Sequence, residues 1–245
     1  MELIHLATFA VALLSCFLSG LAGGGGSYIT APYWLISGMT AAQSGTTGNF
    51  MGIGLGASSL LALRKADHYP QNKRLTVALT IVTAIVSIIG ALVLSHIDTG
   101  SFKTALAILT ILSIPLLFID RRKIKLSKGH QKIGIVALVI LLLASSIIAS
   151  SAFSILIAVG LSQLFDLTIL ESTALRRLIS LIQSGIIFVI LAVQGNLLVL
   201  HAVAAFLGGS IGSYLGTRFA IKKGEGFARY ALAAGALIGA IALLW

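Results

Sequence analysis

The sequence predicts an all-α, polytopic membrane protein built from two inverted repeats. Three observations lead to this prediction: an apolar composition, apolar segments separated by short polar breaks, and basic residues concentrated in three of those breaks. Of the 245 residues, 58% are hydrophobic and 10% are charged, whereas about 25% are charged in an average soluble domain. Mean hydropathy is +1.05. A chain of this composition lies mostly within a lipid bilayer.

Polar and glycine-rich breaks divide each half into five apolar segments. The segments are 4–22, 27–37, 40–63, 75–96 and 104–119 in the first half, and 133–149, 155–165, 167–193, 197–217 and 230–245 in the second. A helix needs about 20 apolar residues to cross the hydrocarbon core. Segments 27–37 and 155–165 are too short, and each follows a break of very small residues. We therefore predict, in each half, a broken or re-entrant helix pair plus three spanning helices.

Composition excludes several other classes of protein. The net charge of +10 could suggest nucleic-acid binding, but the basic residues lie between apolar segments, as the positive-inside rule predicts. The first 22 residues lack the basic start and the cleavage site of a secretory signal, so we interpret them as a retained membrane segment. Cys16 is the single cysteine and lies in an apolar run, which is typical of a buried hydrophobic residue.

The two halves align at an offset of 128 residues. "MTAAQSGTT" (39–47) then lies over "LTILESTAL" (167–175), and the glycines at 23–26 lie over residues 151–154. Identity is low, and the order and length of the segments carry the match, as is usual for transporter repeats. We predict a first repeat at 1–120, a basic cytoplasmic linker at 121–132 and a second repeat at 133–245.

Lysine and arginine indicate the relative orientation of the repeats. Loops 64–74, 120–132 and 218–229 together hold 14 of the 17 basic residues, so all three should be cytoplasmic. That requires residues 133–165 to enter and leave the membrane by the same face. Each repeat then has three full crossings, and the odd number makes the repeats inverted. The alternative is eight simple crossings, with 218–229 outside.

The stretch "SGLAGGGGSYITAPYW" (19–34) contains the first break. A helix interrupted at mid-membrane exposes backbone N–H groups at the start of the next half-helix, and these groups with the helix dipole favour an anion. Glycine lets the backbone approach a ligand closely. We predict an anion-binding cradle formed by Gly23, Gly24, Gly25, Gly26, Ser27 and Tyr28. The alternative is that the glycines serve only close helix packing.

A second polar cluster begins the next segment of each half. In the first half it comprises Gln43, Ser44, Thr46, Thr47 and Asn49. In the second half it comprises Ser172, Thr173, Arg176 and Arg177, with Ser151 and Ser154 at the break. Charges within a membrane span usually mark a pathway or a buried pair. We predict that these residues bind the anion, that Glu171 is the coupling group and that Gln183 lines the same route. Alternatively, both arginines snorkel to the interface.

Two stretches resemble the TauE/SafE sulfite exporter family. "GLAGGGGSYITAPYWLISGMTAAQSGTTGNF" is similar to the family's signature of a glycine-rich break, a short helix with a proline, here Pro32, and a small-residue stretch. "GGSIGSYLGTRFA" (208–220) resembles its G-x-x-x-G-x-x-x-G-x-R-x-A helix, with Gly208, Gly212, Gly216 and Arg218. We expect this helix to be a close-packing face. The second break reads "ASSAFS", which keeps small residues without the glycines.

The resemblance implies a secondary transporter, an exporter of sulfite, sulfoacetate or a related sulfur-containing anion, with protons as a candidate coupling ion. It implies a multi-pass protein of a prokaryotic plasma membrane, a small anion and the lipid bilayer as partners, and it allows a homo-oligomer. The alternative is an anion channel or uniporter without a coupling group. We expect no enzyme, because the seven acidic residues form no visible catalytic set, and no cofactor, metal or nucleic acid.

Overall fold

The described part of the chain is helical, without strands. In a computed structural model, the described residues are 2–22, 24, 26–65, 72–113, 131–148, 151–165, 167, 169–223, 237 and 241. Their helices are α1 Glu2–Ala22, α2 Ser27–Ile36, α3 Ala41–Arg64, α4 Lys73–His96, α5 Thr99–Ser113, α6 Gln131–Ile147, α7 Ser151–Leu164, α8 Ile169–Val193 and α9 Val199–Lys223. Four helices, α1, α4, α8 and α9, are long and apolar enough to cross a membrane. The all-α, polytopic prediction is therefore confirmed.

Both predicted helix breaks are present. Helix α2 has 10 residues and α7 has 14, so at about 1.5 Å per residue they are about 15 and 21 Å long. Neither length reaches the roughly 30 Å of the hydrocarbon core. The second break differs in detail from its prediction, because residues 151–154 form the first turn of α7 rather than the break itself. Most of the linker at 121–132 and of the segment at 230–245 lies outside the described residues.

Helices α1 and α9 pack in parallel with almost no space between their backbones. A Cβ atom at Gly208, Gly212 or Gly216 would meet the backbone oxygen of Phe9, Leu13 or Phe17 respectively. Each step of four residues along α9 therefore matches a step of four along α1 in the same direction. Only glycine fits at these three positions, which confirms the close-packing prediction for this helix.

Helix α3 also runs parallel to α9. Phe50 stacks on Phe206 with ring centroids 4.8 Å apart, and further along both helices the hydroxyl oxygens of Ser59 and Thr217 are 2.9 Å apart. The two helices therefore end on the same side of the bundle. As a result, the basic residues at these ends, Arg64 on α3 and Lys222 and Lys223 on α9, lie on one side of the bundle.

Helix α4 runs opposite to α3. Gly45, near the start of α3, lies against Leu94, near the end of α4. The backbone N–H of Ala41 donates to Thr99 Oγ1 at 3.2 Å, which ties the start of α3 to the α4–α5 turn. In that turn the backbone N–H of Ser101 donates to Asp98, which lowers the pKa of its carboxyl group. Helix α9 is the sequence counterpart of α4, and since it is parallel to α3 it runs opposite to α4.

The helix packing supports two structurally related halves. In the repeat alignment, α1 corresponds to α6, α2 to α7, α3 to α8 and α4 to α9. If the halves are related, the contact between α1 and α9 should recur between α6 and α4, that between α3 and α9 between α8 and α4, and that between α1 and α2 between α6 and α7. All of these contacts occur. The hairpin α6–α7 is antiparallel, since Gly134 lies against Leu164 and Gly160 against Leu138. An antiparallel hairpin fits both an inverted repeat and two simple crossings, so the inverted repeat and the orientation of the protein in a membrane stay predictions.

Cysteine labelling tests the predicted topology. In a Cys16→Ala background, cysteines at Ser127 and Gly224 should both resist a membrane-impermeant maleimide in intact cells and react after permeabilisation. The reason is the basic character of both loops. A cysteine at the exposed Gln194, between α8 and α9, is the matched control and should react in intact cells. Reaction at position 224 but not at 127 in intact cells would establish the eight-crossing layout instead.

Candidate functional site

Both helix breaks border one internal cavity. Its volume is about 130 Å³, many times the roughly 10–15 Å³ that one water needs. Helices α2, α3 and α8 provide most of the lining, and α1, α4, α5, α6 and α7 complete it. Eight predicted site residues line the cavity, namely Gly24, Gly26, Ser27, Ser44, Asn49, Ser154, Arg176 and Arg177. The structure therefore brings together residues from both breaks and both polar clusters.

The two arginines of α8 reach the two different breaks. Arg177 donates from Nη2 to the backbone oxygen of Ser19 at 2.9 Å, in the last turn of α1. Arg176 donates from Nη2 to Ser154 Oγ at 2.9 Å, in the first turn of α7. Arg176 is 7% exposed and Arg177 is 6% exposed. The alternative that they snorkel to the interface is therefore wrong, because snorkelling requires the charged group to reach water.

Arg176 has unused hydrogen-bond donors. Within the described part of the chain, its Nε and Nη1 atoms are buried and have no hydrogen-bond partner. No aspartate or glutamate is present among the described residues that line the cavity. Buried N–H donors that lack an acceptor are unfavourable. The site therefore has the charge and the donors that an anion would satisfy.

The two breaks face each other across this site. A Cβ atom at Gly24 would lie 3.4 Å from Ser154 Cβ, so the first break and the start of α7 are in near contact. Gly26 is the N-cap of α2, and its carbonyl oxygen accepts from Ile29 and Thr30 at 3.2 Å. The starts of α2 and α7 thus lie at one cavity, where their dipoles favour negative charge. Gly23 and Gly25 lie outside the described residues.

Other predicted site residues lie outside the cavity lining. Gln43 and Thr40 form a reciprocal capping box at the start of α3, so the amide of Gln43 serves the helix start. Thr46 donates to the backbone oxygen of Ala42 at 2.7 Å. Tyr28 and Thr47 are buried in the core. Glu171, Ser172 and Thr173 form part of the first turns of α8. The side chain of Ser151 is outside the part of the structure that is described. A binding or coupling role for these residues stays a prediction.

Sequence reasoning missed part of the polar lining. Gln183 lines the cavity as predicted and donates to Ser145 Oγ at 3.1 Å. The missed residues are Ser19, Trp34, Ser145, Ser180 and Ser184. Ser180 and Ser184 follow Arg176 at intervals of four residues, which is the helical repeat of one face. That spacing could have revealed them, whereas the others come from separate helices.

The comparison with protein families agrees with the motifs. The model described as Sulfite exporter TauE/SafE matches residues 8–243. The chain belongs to the TauE/SafE sulfite exporter family. The match includes both breaks, Arg176, Arg177 and the glycines of α9, so a TauE/SafE transporter scaffold surrounds the cavity. No curated protein and no solved structure matches the chain. Among the described residues, no three His, Cys, Asp or Glu side chains are grouped to hold a metal ion.

Side-chain size at Gly24 tests whether this cavity is the transport site. Gly24→Ala should transport normally, because its Cβ would be in ordinary van der Waals contact with Ser154. Gly24→Leu should reduce anion flux at least about tenfold while the protein still folds, since a larger side chain would occupy the cavity. Flux into proteoliposomes measures the effect. Gly185→Leu is the control, since a Cβ there meets nothing within 4 Å. Normal transport by Gly24→Leu would place the site elsewhere.

Proposed function

We propose that this protein is a secondary transporter that exports a small anion such as sulfite, sulfoacetate or a related sulfur-containing anion. The proposal further places the anion in the cavity between the two half-helix starts. One observation carries it: Arg176 is buried at the breaks, and its Nε and Nη1 atoms have no partner within the described residues. A bound anion would provide both the acceptors and the opposite charge.

The residues of the site suit an oxyanion. A guanidinium group presents its donors in a planar fork, which matches two oxygens of one anion. Ser27, Ser44 and Ser180 add neutral hydroxyl groups to the lining, and hydroxyls can donate to further oxygens. The cavity is small, and Leu94, Phe102 and Leu106 form an apolar part of its wall. Such a wall excludes bulk water and strengthens the interactions of the charged groups.

The position of the site suits alternating access. Helix α8 belongs to the second half, but it packs against α3 of the first half, and Arg177 bonds to α1. Substrate sites of inverted-repeat transporters lie at the interface between repeats, so movement of one repeat against the other exposes the site to alternate sides. In this proposal the bound anion joins the two halves near the arginines during that movement.

Substitution of Arg176 tests the proposed function. Arg176→Ala should weaken sulfite binding about tenfold to a hundredfold, because hydrogen bonds to charged groups contribute about 1.5–3 kcal/mol. Arg176→Lys should restore only part of the affinity, since it keeps the charge but loses the fork. Binding to the purified protein and flux in proteoliposomes are the measurements. Arg218→Ala is the matched control, because Arg218 is exposed on α9 and packs over the Tyr214 ring. Unchanged binding in Arg176→Ala would refute the anion site.

A channel or uniporter is the second candidate function. The observation that favours it is that Glu171 lies outside the described cavity lining, although it is only five residues before Arg176 on α8. If Glu171 carries a coupling proton, Glu171→Gln should bind sulfite normally but lose the acceleration of transport by a pH gradient. Flux with and without an imposed gradient separates the two functions. A Glu171→Gln protein that keeps the full response to the gradient would exclude the coupling role and favour uniport.

A further inference from the structure

Trp34 is a buried aromatic residue of the cavity wall. It lies in the last turns of α2, is 2% exposed and lines the cavity. Its ring belongs to an apolar cluster with Cys16, Met39 and Met51. Packing accounts for the ring but not for its polar atom. The indole Nε1 is buried and, within the described residues, has no hydrogen-bond partner.

An unsatisfied indole N–H is informative because tryptophan has a donor and no acceptor. Buried tryptophans usually find a partner for this group. Trp34 and Arg176 therefore share one property: each lines the same cavity and each holds buried donors without acceptors among the described residues. Trp34 belongs to the first half of the chain and Arg176 to the second. A single ligand with several acceptor atoms can satisfy the donors of both residues.

The repeat alignment relates the two positions. At the offset of 128 residues, Gly48 of α3 corresponds to Arg176 of α8, and both line the cavity. A Cβ atom at Gly48 would lie only 3.0 Å from Cζ3 of Trp34. The indole therefore occupies the space that a longer side chain of α3 would need. In the first half, the carbon edge of the Trp34 ring thus fills the space beside Gly48, and its N–H is a neutral donor in the half that has no arginine in the cavity lining.

We propose that Trp34 is a specificity-determining residue of the anion site, whose indole N–H donates to one acceptor atom of an anion that Arg176 holds by another. This inference rests on the proposed function. It follows that the site prefers anions with several separate acceptor atoms, such as sulfite or a sulfonate. A single-atom anion such as chloride offers one atom to both donors, whereas an oxyanion offers a separate oxygen to each.

The chain offers a direct optical test. Trp34 and Trp245 are its two tryptophans, so Trp245→Phe leaves Trp34 as the only indole. In this protein, titration with sodium sulfite at fixed pH and ionic strength should change the Trp34 emission and reach saturation at the binding constant measured by calorimetry. The matched protein, Trp34→Phe with Trp245 retained, should show no saturable change. Sodium methanesulfonate and sodium chloride serve as the comparison anions.

Affinity provides the second measurement. Trp34→Phe keeps an aromatic ring and removes the donor, so its affinity for sulfite should fall about tenfold, which corresponds to about 1.4 kcal/mol, while its weak affinity for chloride changes less than about twofold. Gly48→Ala should lower the preference for sulfite in the same direction, because the added methyl displaces the indole without removing its N–H.

The outcomes separate this inference from the proposed function. The first outcome is that the parent protein binds sulfite and Arg176→Ala loses that binding. If, in that case, sulfite changes neither the Trp34 emission nor the selectivity of Trp34→Phe, Trp34 serves packing alone and the inference is refuted. If the parent protein binds none of the three anions, the proposed function fails and this inference fails with it. Should Trp34→Phe not fold, the emission of the Trp245→Phe protein still decides, since it retains the native site.

Discussion

The fold depends on keeping two guanidinium groups charged in the interior of a membrane protein. An arginine at the centre of a spanning helix costs about 2.5–3.5 kcal/mol on insertion scales, and here two are adjacent on α8. Arg177 offsets part of this cost by bonding to Ser19 O at the end of α1, where the helix dipole is negative. Arg176 reaches Ser154 in the first turn of α7. The Arg177 contact uses a backbone carbonyl that is free because α1 ends at Ala22, so this contact depends on the first helix break.

The rest of the bundle provides the rigid frame for that arrangement. Glycines of α9 allow backbone contact with α1, and α3 packs along the same side of α9 through the Ser59–Thr217 and Ser213–Leu55 hydrogen bonds. Because the backbones of α1 and α9 are in contact, these helices have little freedom to slide past one another, and a closely packed interior transmits displacements. The three parallel helices therefore hold the end of α1 in place, and with it the carbonyl group that Arg177 uses.

Much of the fold could be predicted because it follows from the lengths of the apolar segments and from the positions of the glycines. Apolar segments long enough for the bilayer become α1, α4, α8 and α9, and two segments that are too short become α2 and α7. The site was less predictable, because a hydroxyl or amide group in a membrane helix can either bond to the backbone of its own helix or line a cavity. Gln43 belongs to a capping box, whereas Asn49, six residues later, lines the cavity, and their sequence context does not distinguish them. Trp34 was not predicted, because in the sequence an aromatic residue of an apolar segment looks like any other core residue. Only the structure shows that its N–H lacks an acceptor among the described residues.

The two halves contribute chemically different residues to the site, although several helix contacts recur when the halves are exchanged. Each half contributes a helix start, but the second half contributes Arg176 and Arg177 where the aligned first half has Gly48 and Asn49. Two arginines in both halves would place four cations in a cavity of about 130 Å³, and their mutual repulsion at low dielectric would be prohibitive. Gly48, Asn49 and Trp34 of the first half line the cavity without adding charge to it.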